Sequence, residues 1–276
     1  MRNSPEPARY AVVGDPVAHS LSPLIHNAWM AEAGLDAHYE RVHLKSANAA
    51  ADIRDMALAY AGLNVTLPHK IAALAAATNS SPEARIVGAA NTLVRDGDGW
   101  TAHNTDVEGF EIAMRAVAGD ELRSLRALLI GAGGAARAAV VALNRAGVSL
   151  TIANRSPVNA AALANELAPH AVTADLSEVE ALSASADIIV NSASLGHAGA
   201  SLPPLAPGNG RPFLDLSYGK AAAPALEAAA SAGWAPHDGL TMLVAQAAAA
   251  FHLWFGIHPD QAGALHACLA EVARRA

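Results

Sequence analysis

The feature that most constrains the fold is a glycine-rich loop between an apolar run and a helix-forming stretch. The loop, Gly131-Ala132-Gly133-Gly134-Ala135, follows the apolar residues 127–130 and leads into the alanine-rich stretch 135–145. Glycines at this spacing allow a tight turn and let the backbone approach a pyrophosphate, whose charge then lies at a helix N-terminus. An ordinary strand-to-helix turn is the alternative, but the placement favours a dinucleotide-binding β-α-β unit.

The segment after the next predicted strand indicates which dinucleotide is bound. A unit that binds NAD places an acidic residue there to contact the ribose hydroxyls. This chain has Asn154-Arg155-Ser156 instead. No carboxylate would repel a 2′-phosphate, and the Arg155 guanidinium can pair with that group. The segment therefore predicts NADP in preference to NAD, with a solvated loop arginine as the alternative.

Hydrophobic periodicity predicts an α/β fold in two domains. In the first hundred residues, strands are expected at 10–13, 38–42 and 62–66, with helices at 23–33 and 47–61 and with parallel pairing. The turn at 96–99 predicts a hairpin between 90–94 and 100–102. Further strands are expected at 127–130, 149–153, 171–173, 187–191 and 212–216, followed by two helices over 240–255 and 259–273. We expect one domain over 1–104, completed by the C-terminal helices 241–276, and a Rossmann-like domain over 105–240.

Composition excludes several classes of function. Among 276 residues, 25 acidic against 18 basic side chains give a net charge of −7 without a basic cluster, so nucleic-acid binding is not expected. No apolar run reaches the roughly 18 to 20 residues that span a bilayer, and a cytoplasmic protein is expected. The single Cys268 is predicted to be a buried, inert thiol. The 12 histidines match no metal-ligand spacing, so no metal is expected and most are predicted at the surface or at helix caps.

Polar side chains in the first domain gather at predicted strand ends, where α/β proteins bind ligands. One serine of the loop before the helix at 23–33 could simply cap that helix. A lone lysine or aspartate is usually a solvated surface charge, so each residue alone carries little weight. The candidates are Ser20, Ser22, Asn64, Thr66, Lys70, Asn91 and Asp106.

Taken together, the motifs resemble those of the shikimate dehydrogenase family, in the same order over nearly the whole chain. The similar segments are 14–16, 19–23, 64–70, 88–92, 104–106, 131–137, 154–156 and 238–246. The resemblance implies an N-terminal substrate domain and a Rossmann-like domain. It also implies NADP-dependent interconversion of 3-dehydroshikimate and shikimate. We expect a monomer or homodimer that binds neither nucleic acid nor membrane.

The resemblance also implies roles for individual residues. Lys70 and Asp106 would be the catalytic pair. The chemistry requires a base near the reacting hydroxyl, for which Lys70 is the candidate; Asp106 can orient Lys70 and share its proton, and the division of proton transfer between the two stays open. Substrate contacts would come from Ser20, Ser22, Asn64, Thr66, Lys70, Asn91, Asp106, Tyr218 and Gln246. Cofactor contacts would come from Gly131, Ala132, Gly133, Gly134, Ala135, Asn154, Arg155, Ser156, Leu216 and Gly239.

Two departures from the family pattern keep alternatives open. Val107 stands where glycine is usual, and Asn159 stands where a second basic residue often follows the Asn-Arg-Ser loop. A paralogue acting on quinate or an amino-substituted shikimate, with NAD or NADP, is one alternative, although Ser22 favours shikimate because quinate-preferring relatives often carry threonine there. A non-catalytic binding protein that retains the fold is the other.

Overall fold

The computed structural model describes residues 7–193 and 201–275. Contacts between Cα atoms divide the chain into two compact units. The first contains the residues up to Thr105 together with Gln246–Cys268, and the second contains Asp106–Ala245 together with the residues from Leu269 onward. The functional domain limits expected from the sequence, with boundaries after 104 and 240, stay a prediction.

The first unit is built on a mixed six-stranded sheet in the order β2-β1-β3-β5-β6-β4. β1 pairs in parallel with β2 and β3, whereas β5 runs antiparallel to both β3 and β6. The expectation of parallel pairing therefore holds for the first three strands only, because a hairpin reverses the chain direction. The strands are β1 (Ala8–Gly14), β2 (Ala37–His43), β3 (Gly62–Val65), β4 (Asn79–Ser80), β5 (Thr92–Asp96) and β6 (Gly99–His103).

Helices cover the first sheet and bury its apolar side chains. The indole of Trp100 is fully buried and donates its Nε1–H to the carbonyl of Ile53 at 2.7 Å, which anchors α2 to the hairpin. Gly97 adopts φ +60° in the turn of that hairpin, a conformation that favours glycine. The helices of the first hundred residues are α1 (Ser22–Glu32), α2 (Ala49–Asp55), α3 (Lys70–Ala76) and α4 (Pro82–Val87).

The second unit is built on a parallel six-stranded sheet in the order β12-β11-β10-β7-β8-β9. This is the strand order of dinucleotide-binding folds, in which the connection changes direction between β7 and β10. Its core is formed by fully buried residues such as Leu129, Ile189 and Phe213. The strands are β7 (Arg126–Ile130), β8 (Ser149–Asn154), β9 (Val172–Asp175), β10 (Ile188–Asn191), β11 (Pro212–Asp215) and β12 (Ala235–His237).

The remaining helices follow or interleave these strands. α10 belongs to the second unit up to Ala245 and to the first unit from Gln246 onward. The helices are α5 (Asp106–Ala118), α6 (Gly134–Arg145), α7 (Pro157–Leu167), α8 (Val179–Ser183), α9 (Ala223–Ser231), α10 (Leu240–Phe255) and α11 (Gln261–Arg275).

The predicted fold class is confirmed, with local corrections. The helix expected over 47–61 ends at Asp55 and continues only as the 3-10 turn Met56–Leu58. The elements β4, α4, α9 and β12 were not predicted from the sequence. Cys268 is buried as expected, and His26 and His69 are the histidines that are buried among the described residues, in keeping with the expectation that most histidines lie elsewhere. Among the described residues, no helix is long and apolar enough to cross a membrane.

Candidate active site

The loop before α1 brings its two serines into contact. The Ser20 hydroxyl donates to the Ser22 hydroxyl at 3.2 Å and accepts from the Ser22 backbone N–H, also at 3.2 Å. The N-cap residue of α1 is Leu21, so neither serine occupies the capping position, although Ser20 accepts the N–H of the first helical residue. The Arg41 guanidinium donates two hydrogen bonds, at 3.0 and 2.6 Å, to the Ser20 carbonyl. The loop is thus held from β2, and both serines are buried.

A hydrogen-bonded cluster of uncharged side chains forms where β3, β5 and β6 lie side by side. Asn91 donates its amide to the Thr105 hydroxyl at 2.9 Å and to Gln246 Oε1 at 3.2 Å, and its Oδ1 accepts the Thr105 backbone N–H at 2.7 Å. Asn64 joins through its contacts with the Asn91 carbonyl and the Thr92 hydroxyl. We call Asn64, Asn91, Thr92, Thr105 and Gln246 the polar cluster; each is at most 9% exposed.

Lys70 and Thr66 lie on the segment that follows β3. Lys70 is the first residue of α3 and is half-buried, and its carbonyl accepts the Ala90 backbone N–H at 2.9 Å, which ties α3 to the chain entering the polar cluster. Thr66 packs close to Gly14, where a Cβ would lie 2.4 Å from Thr66 Cγ2. A side chain at position 14 would displace this segment.

Asp106 is the first residue of α5 and is 4% exposed. It follows Thr105 directly, so the hydrogen bond from the Thr105 backbone to Asn91 limits where the Asp106 backbone can lie. Val107, in place of the glycine usual in the family, is also buried.

The glycine loop lies at the switch point of the parallel sheet. Gly131 has φ +110°, and a Cβ there would come within 2.6 Å of Ser192 Oγ, so this position requires glycine. Gly133 is the N-cap of α6 and has open space where its Cβ would be. The first N–H groups of α6 therefore have room for a phosphate, and the glycine loop fits a dinucleotide.

The Asn154-Arg155-Ser156 segment begins at the end of β8. The Asn154 side-chain amide donates to the Ser156 carbonyl at 3.0 Å and shapes the turn into α7. Arg155 is exposed, and within 7–193 and 201–275 it makes no ion pair or hydrogen bond through its side chain. Its guanidinium is therefore available to an anionic group.

Leu216 and Gly239 are neighbours in space. A Cβ on Gly239 would lie 2.4 Å from the Leu216 carbonyl oxygen, and the Gly239 N–H donates to the Ser217 carbonyl at 2.8 Å. Tyr218 is half-buried at the end of the same segment. The predicted cofactor contacts Leu216 and Gly239 thus belong to one backbone cluster.

A buried carboxylate that sequence reasoning missed holds this segment. Asp215 is 1% exposed; its Oδ2 accepts from the Asn191 amide and its Oδ1 from the Ser217 N–H, both at 2.7 Å. Burial raises the pKa of Asp215 to about 6, and the charge of Asp238 acts in the same direction, while both hydrogen bonds oppose it. The position of Asp215 at the end of a predicted strand was the available signal.

Tyr39 also supports the site and escaped prediction. It donates its hydroxyl to Asn64 Oδ1 at 2.7 Å, and Thr92 and Thr105 complete the polar cluster. Both threonines lie inside the motif segments 88–92 and 104–106, whereas nothing near Tyr39 in sequence pointed to the site. Within the described part of the chain, no three His, Cys, Asp or Glu side chains form a group that could hold a metal ion.

The second unit has the parallel strand order and the glycine-rich turn of a dinucleotide-binding domain, and the first unit contains a buried polar cluster. This combination is typical of the class of dinucleotide-dependent dehydrogenases. Three family profiles agree with this class. They describe a shikimate dehydrogenase substrate-binding domain over residues 12–93, shikimate/quinate 5-dehydrogenase over 111–198, and a shikimate 5′-dehydrogenase C-terminal domain over 239–269.

Individual relatives give the same result. A shikimate dehydrogenase (NADP(+)) of Hyphomonas neptunium is 46% identical over 259 residues, covering 93% of this chain and 95% of the relative. The crystal structure of shikimate 5-dehydrogenase from Thermus thermophilus in complex with NADP(H) and shikimate matches with a TM-score of 0.79 and 35% identity, over 97% and 99% of the two chains. Quinate dehydrogenase from Corynebacterium glutamicum, in complex with NAD, matches with a TM-score of 0.82 and 28% identity over 96% and 99%. The chain belongs to the shikimate dehydrogenase family.

Proposed function

We propose that this protein is an NADP-dependent shikimate dehydrogenase that reversibly reduces 3-dehydroshikimate to shikimate. The observation that carries the proposal is the 46% identity to an NADP(+)-dependent shikimate dehydrogenase over 93% of the chain. This similarity extends through the polar cluster and the glycine loop alike. The first unit would hold the substrate and the second unit the cofactor.

The side chains proposed for substrate binding match a small polyol. They are mostly hydroxyls and amides, and a site that binds through many hydrogen bonds rejects molecules that lack a partner for each group. The buried serines of the α1 loop and the polar cluster are already ordered by contacts within the chain, which lowers the entropic cost of binding. The proposed substrate contacts are Ser20, Ser22, Asn64, Thr66, Lys70, Asn91, Asp106, Tyr218 and Gln246.

Lys70 and Asp106 are the proposed groups for proton transfer. When bound, NADP(H) supplies or accepts the hydride at the ring carbon that alternates between ketone and alcohol. The oxygen on that carbon then gains or loses a proton, which we assign to Lys70. Asp106 carries the opposite charge, and we propose that it orients the lysine and shares its proton.

The proposed cofactor contacts follow the shape and charge of a dinucleotide phosphate. The glycine loop offers backbone N–H groups and open space at Gly133, which suits the pyrophosphate. The exposed Arg155 suits the 2′-phosphate. The other proposed contacts are Gly131, Ala132, Gly134, Ala135, Asn154, Ser156, Leu216 and Gly239.

A quinate dehydrogenase that uses NAD is the second candidate. The similarity to the Corynebacterium glutamicum quinate dehydrogenase, whose structure contains NAD, favours it, as does Asn159, which lacks the charge of a second basic residue. A polar, uncharged residue at position 159 weakens the electrostatic preference for a 2′-phosphate but leaves that of Arg155.

Initial rates of the purified protein with shikimate and with quinate, each with NADP+ and NAD+, test the proposal. A kcat/KM at least tenfold higher for shikimate with NADP+ than for the other three pairs would support it. A preference for quinate or NAD+ would favour the second candidate, and absence of turnover with all four pairs would contradict both.

We also propose that the protein acts in the cytoplasm as a monomer or homodimer. Light scattering coupled to size-exclusion chromatography measures the oligomeric state directly: a mass near 28 or 56 kDa is expected from the chain mass of 28.1 kDa. A larger assembly would contradict this proposal without affecting the one on activity.

A further inference from the structure

The hydrogen bonds of Asn64 fix the orientation of its side-chain amide. Nδ2 donates to the Asn91 carbonyl at 3.3 Å and to the Thr92 hydroxyl at 3.1 Å, and Oδ1 accepts from the Tyr39 hydroxyl at 2.7 Å. A flipped amide would set Oδ1 against the Asn91 carbonyl oxygen, which can only accept. The amide must therefore present Oδ1 to Tyr39, and Tyr39 must donate.

This arrangement determines what Asn64 can offer a ligand. An amide has two N–H donors and two acceptor lone pairs on its oxygen. Both donors and one lone pair of Asn64 are used within the chain, which leaves the second lone pair of Oδ1. Asn64 can thus accept a hydrogen bond from a ligand hydroxyl, whereas it has no N–H left for a ketone or a carboxylate.

Tyr39 is itself held on several sides. Asn27 accepts the Tyr39 backbone N–H at 2.9 Å and donates to the Tyr39 carbonyl at 2.8 Å. The phenol ring is 1% exposed and stacks on the His26 ring with centroids 4.4 Å apart and planes at 13°. The Trp254 ring lies 6.1 Å away. The hydroxyl is therefore presented from a ring and a backbone that have little freedom to move.

The stacking partner His26 is uncharged. Its ring is fully buried, and neither ring nitrogen has a hydrogen-bond partner among the described residues. Burial lowers the pKa of His26 to about 3; Asn64 lies near enough to oppose this effect in part, although no hydrogen bond joins the two side chains. At neutral pH the uncharged His26 imidazole stacks on the Tyr39 ring and keeps one N–H, which makes no hydrogen bond to Asn64 Oδ1.

We propose that Tyr39 is a positioning residue for substrate specificity: its hydroxyl locks the Asn64 amide so that Oδ1 accepts a hydrogen bond from a ring hydroxyl of the substrate. The proposal rests on the proposed function, because it takes Asn64 to be a substrate contact. It adds the direction of the hydrogen bond and the residue that sets it. Asn64 then favours substrates that have a hydroxyl group at the ring position facing Asn64 Oδ1.

A double-mutant cycle tests this coupling. Tyr39→Phe removes only the hydroxyl, and we expect it to raise the KM for shikimate about three- to tenfold, with a smaller change in kcat, because Asn64 loses a neutral hydrogen bond. In an Asn64→Ala background the same substitution should change KM less than about twofold, since Tyr39 acts through Asn64. Asn64→Ser replaces Asn64→Ala in the cycle if the alanine variant does not fold.

Tyr60→Phe is the matched control. Tyr60 is also a largely buried phenol of the first unit, and its hydroxyl donates to Glu40 at 3.0 Å, outside the polar cluster. The KM for shikimate should be unchanged in this variant. An unchanged KM in Tyr39→Phe, or an equal rise of KM in the wild-type and Asn64→Ala backgrounds, would overturn the proposal.

Deoxy analogues of shikimate, each lacking one ring hydroxyl, provide a second readout. For one analogue, the loss of kcat/KM that the wild type shows should shrink in Tyr39→Phe and vanish in Asn64→Ala; equal losses in all three proteins for every analogue would contradict the proposal. Failure of the proposed function has a different signature: the wild type itself would then show no turnover of shikimate, and both proposals would fall.

Discussion

Asn191 donates its side-chain amide to the carboxylate of Asp215 at 2.7 Å, across the carboxyl ends of the neighbouring strands β10 and β11. The other carboxylate oxygen accepts the Ser217 N–H. The buried carboxylate thus connects the end of β10 to the segment that contains Leu216 through two hydrogen bonds. Its ionisation should be visible in the stability of the protein.

We expect Asp215→Asn to change how stability depends on pH. The folded pKa of about 6 lies above the usual aspartate value of 3.8. The folded state therefore keeps a proton that the unfolded chain has released, and the stabilisation from this group is complete below pH 4 and lost as pH rises to about 6. The free energy of unfolding of the wild type relative to Asp215→Asn should fall by up to about 3 kcal/mol over this window. Urea unfolding at several pH values measures it.

Asp187→Asn is the control for this experiment. Hydrogen bonds from the Arg126 guanidinium lower the pKa of Asp187, so its contribution is present above pH 4 and is lost only as pH falls further. The difference between the wild type and Asp187→Asn should be flat from pH 5 to 7.5. A flat difference for Asp215→Asn as well would mean that Asp215 is not perturbed in the folded state.

Two alanine substitutions in the glycine loop should have distinct effects. Gly131→Ala places a methyl group against Ser192 in a backbone conformation with φ +110°, so the protein without cofactor should lose several degrees in Tm. Gly133→Ala meets nothing within 4 Å and has φ −89°, so its Tm should be unchanged. We expect its Kd for NADPH to rise about tenfold, because the methyl group occupies the space proposed for the pyrophosphate. Unchanged affinity in Gly133→Ala would place the dinucleotide elsewhere.

Arg155→Ala should weaken the use of NADPH more than that of NADH. Loss of a charge-assisted hydrogen bond to the 2′-phosphate should lower kcat/KM with NADPH roughly 10- to 100-fold. NADH lacks the 2′-phosphate, so kcat/KM with NADH should change little. Steady-state kinetics with both cofactors measure the ratio. Arg126→Ala, which removes another exposed arginine of the same sheet, should leave it unchanged. Equal losses with NADPH and NADH in Arg155→Ala would assign Arg155 to a general electrostatic role.

Lys70→Ala should lower kcat about 100- to 10,000-fold while the KM for shikimate changes little, as is typical when a general acid–base group is removed. Lys45→Ala, which removes a lysine from the same unit, serves as the control. If Lys70→Ala retained near-normal kcat, proton transfer would have to be assigned to another group.

Features of the fold that depend on residues close together in sequence could be predicted, whereas those that depend on distant residues could not. The glycine loop, the α/β alternation and the hairpin at Gly97 are short-range patterns, and the structure confirms them. β12 was missed because it is a three-residue edge strand with Pro236 at its centre, and proline lowers strand propensity. The helix expected over 47–61 was drawn too long because alanine-rich sequence continues past its end without a glycine or proline to stop it.

The support of the candidate site depended on long-range contacts. Tyr39 and Asn64 are 25 residues apart in sequence, and Asn91 and Gln246 are 155 apart. No periodicity links such pairs. Strand ends pointed to Asn64 and Asn91, but Gln246 could be identified only through the family resemblance, and the hydrogen bonds of the polar cluster only from the structure. The burial of His26 could not be predicted for a similar reason, because the rings at 39, 251 and 254 that pack against it are distant in sequence.

The discontinuous course of the first unit has a consequence for synthesis on the ribosome. Its sheet is complete once residue 103 has been made, but Gln246 and the rings of Phe251 and Trp254 come from α10, more than 140 residues later. Until then Asn91 lacks Gln246, and Tyr10 and His26 lack part of their aromatic cover. Most of the second unit can therefore form while the first still exposes apolar surface to solvent and chaperones.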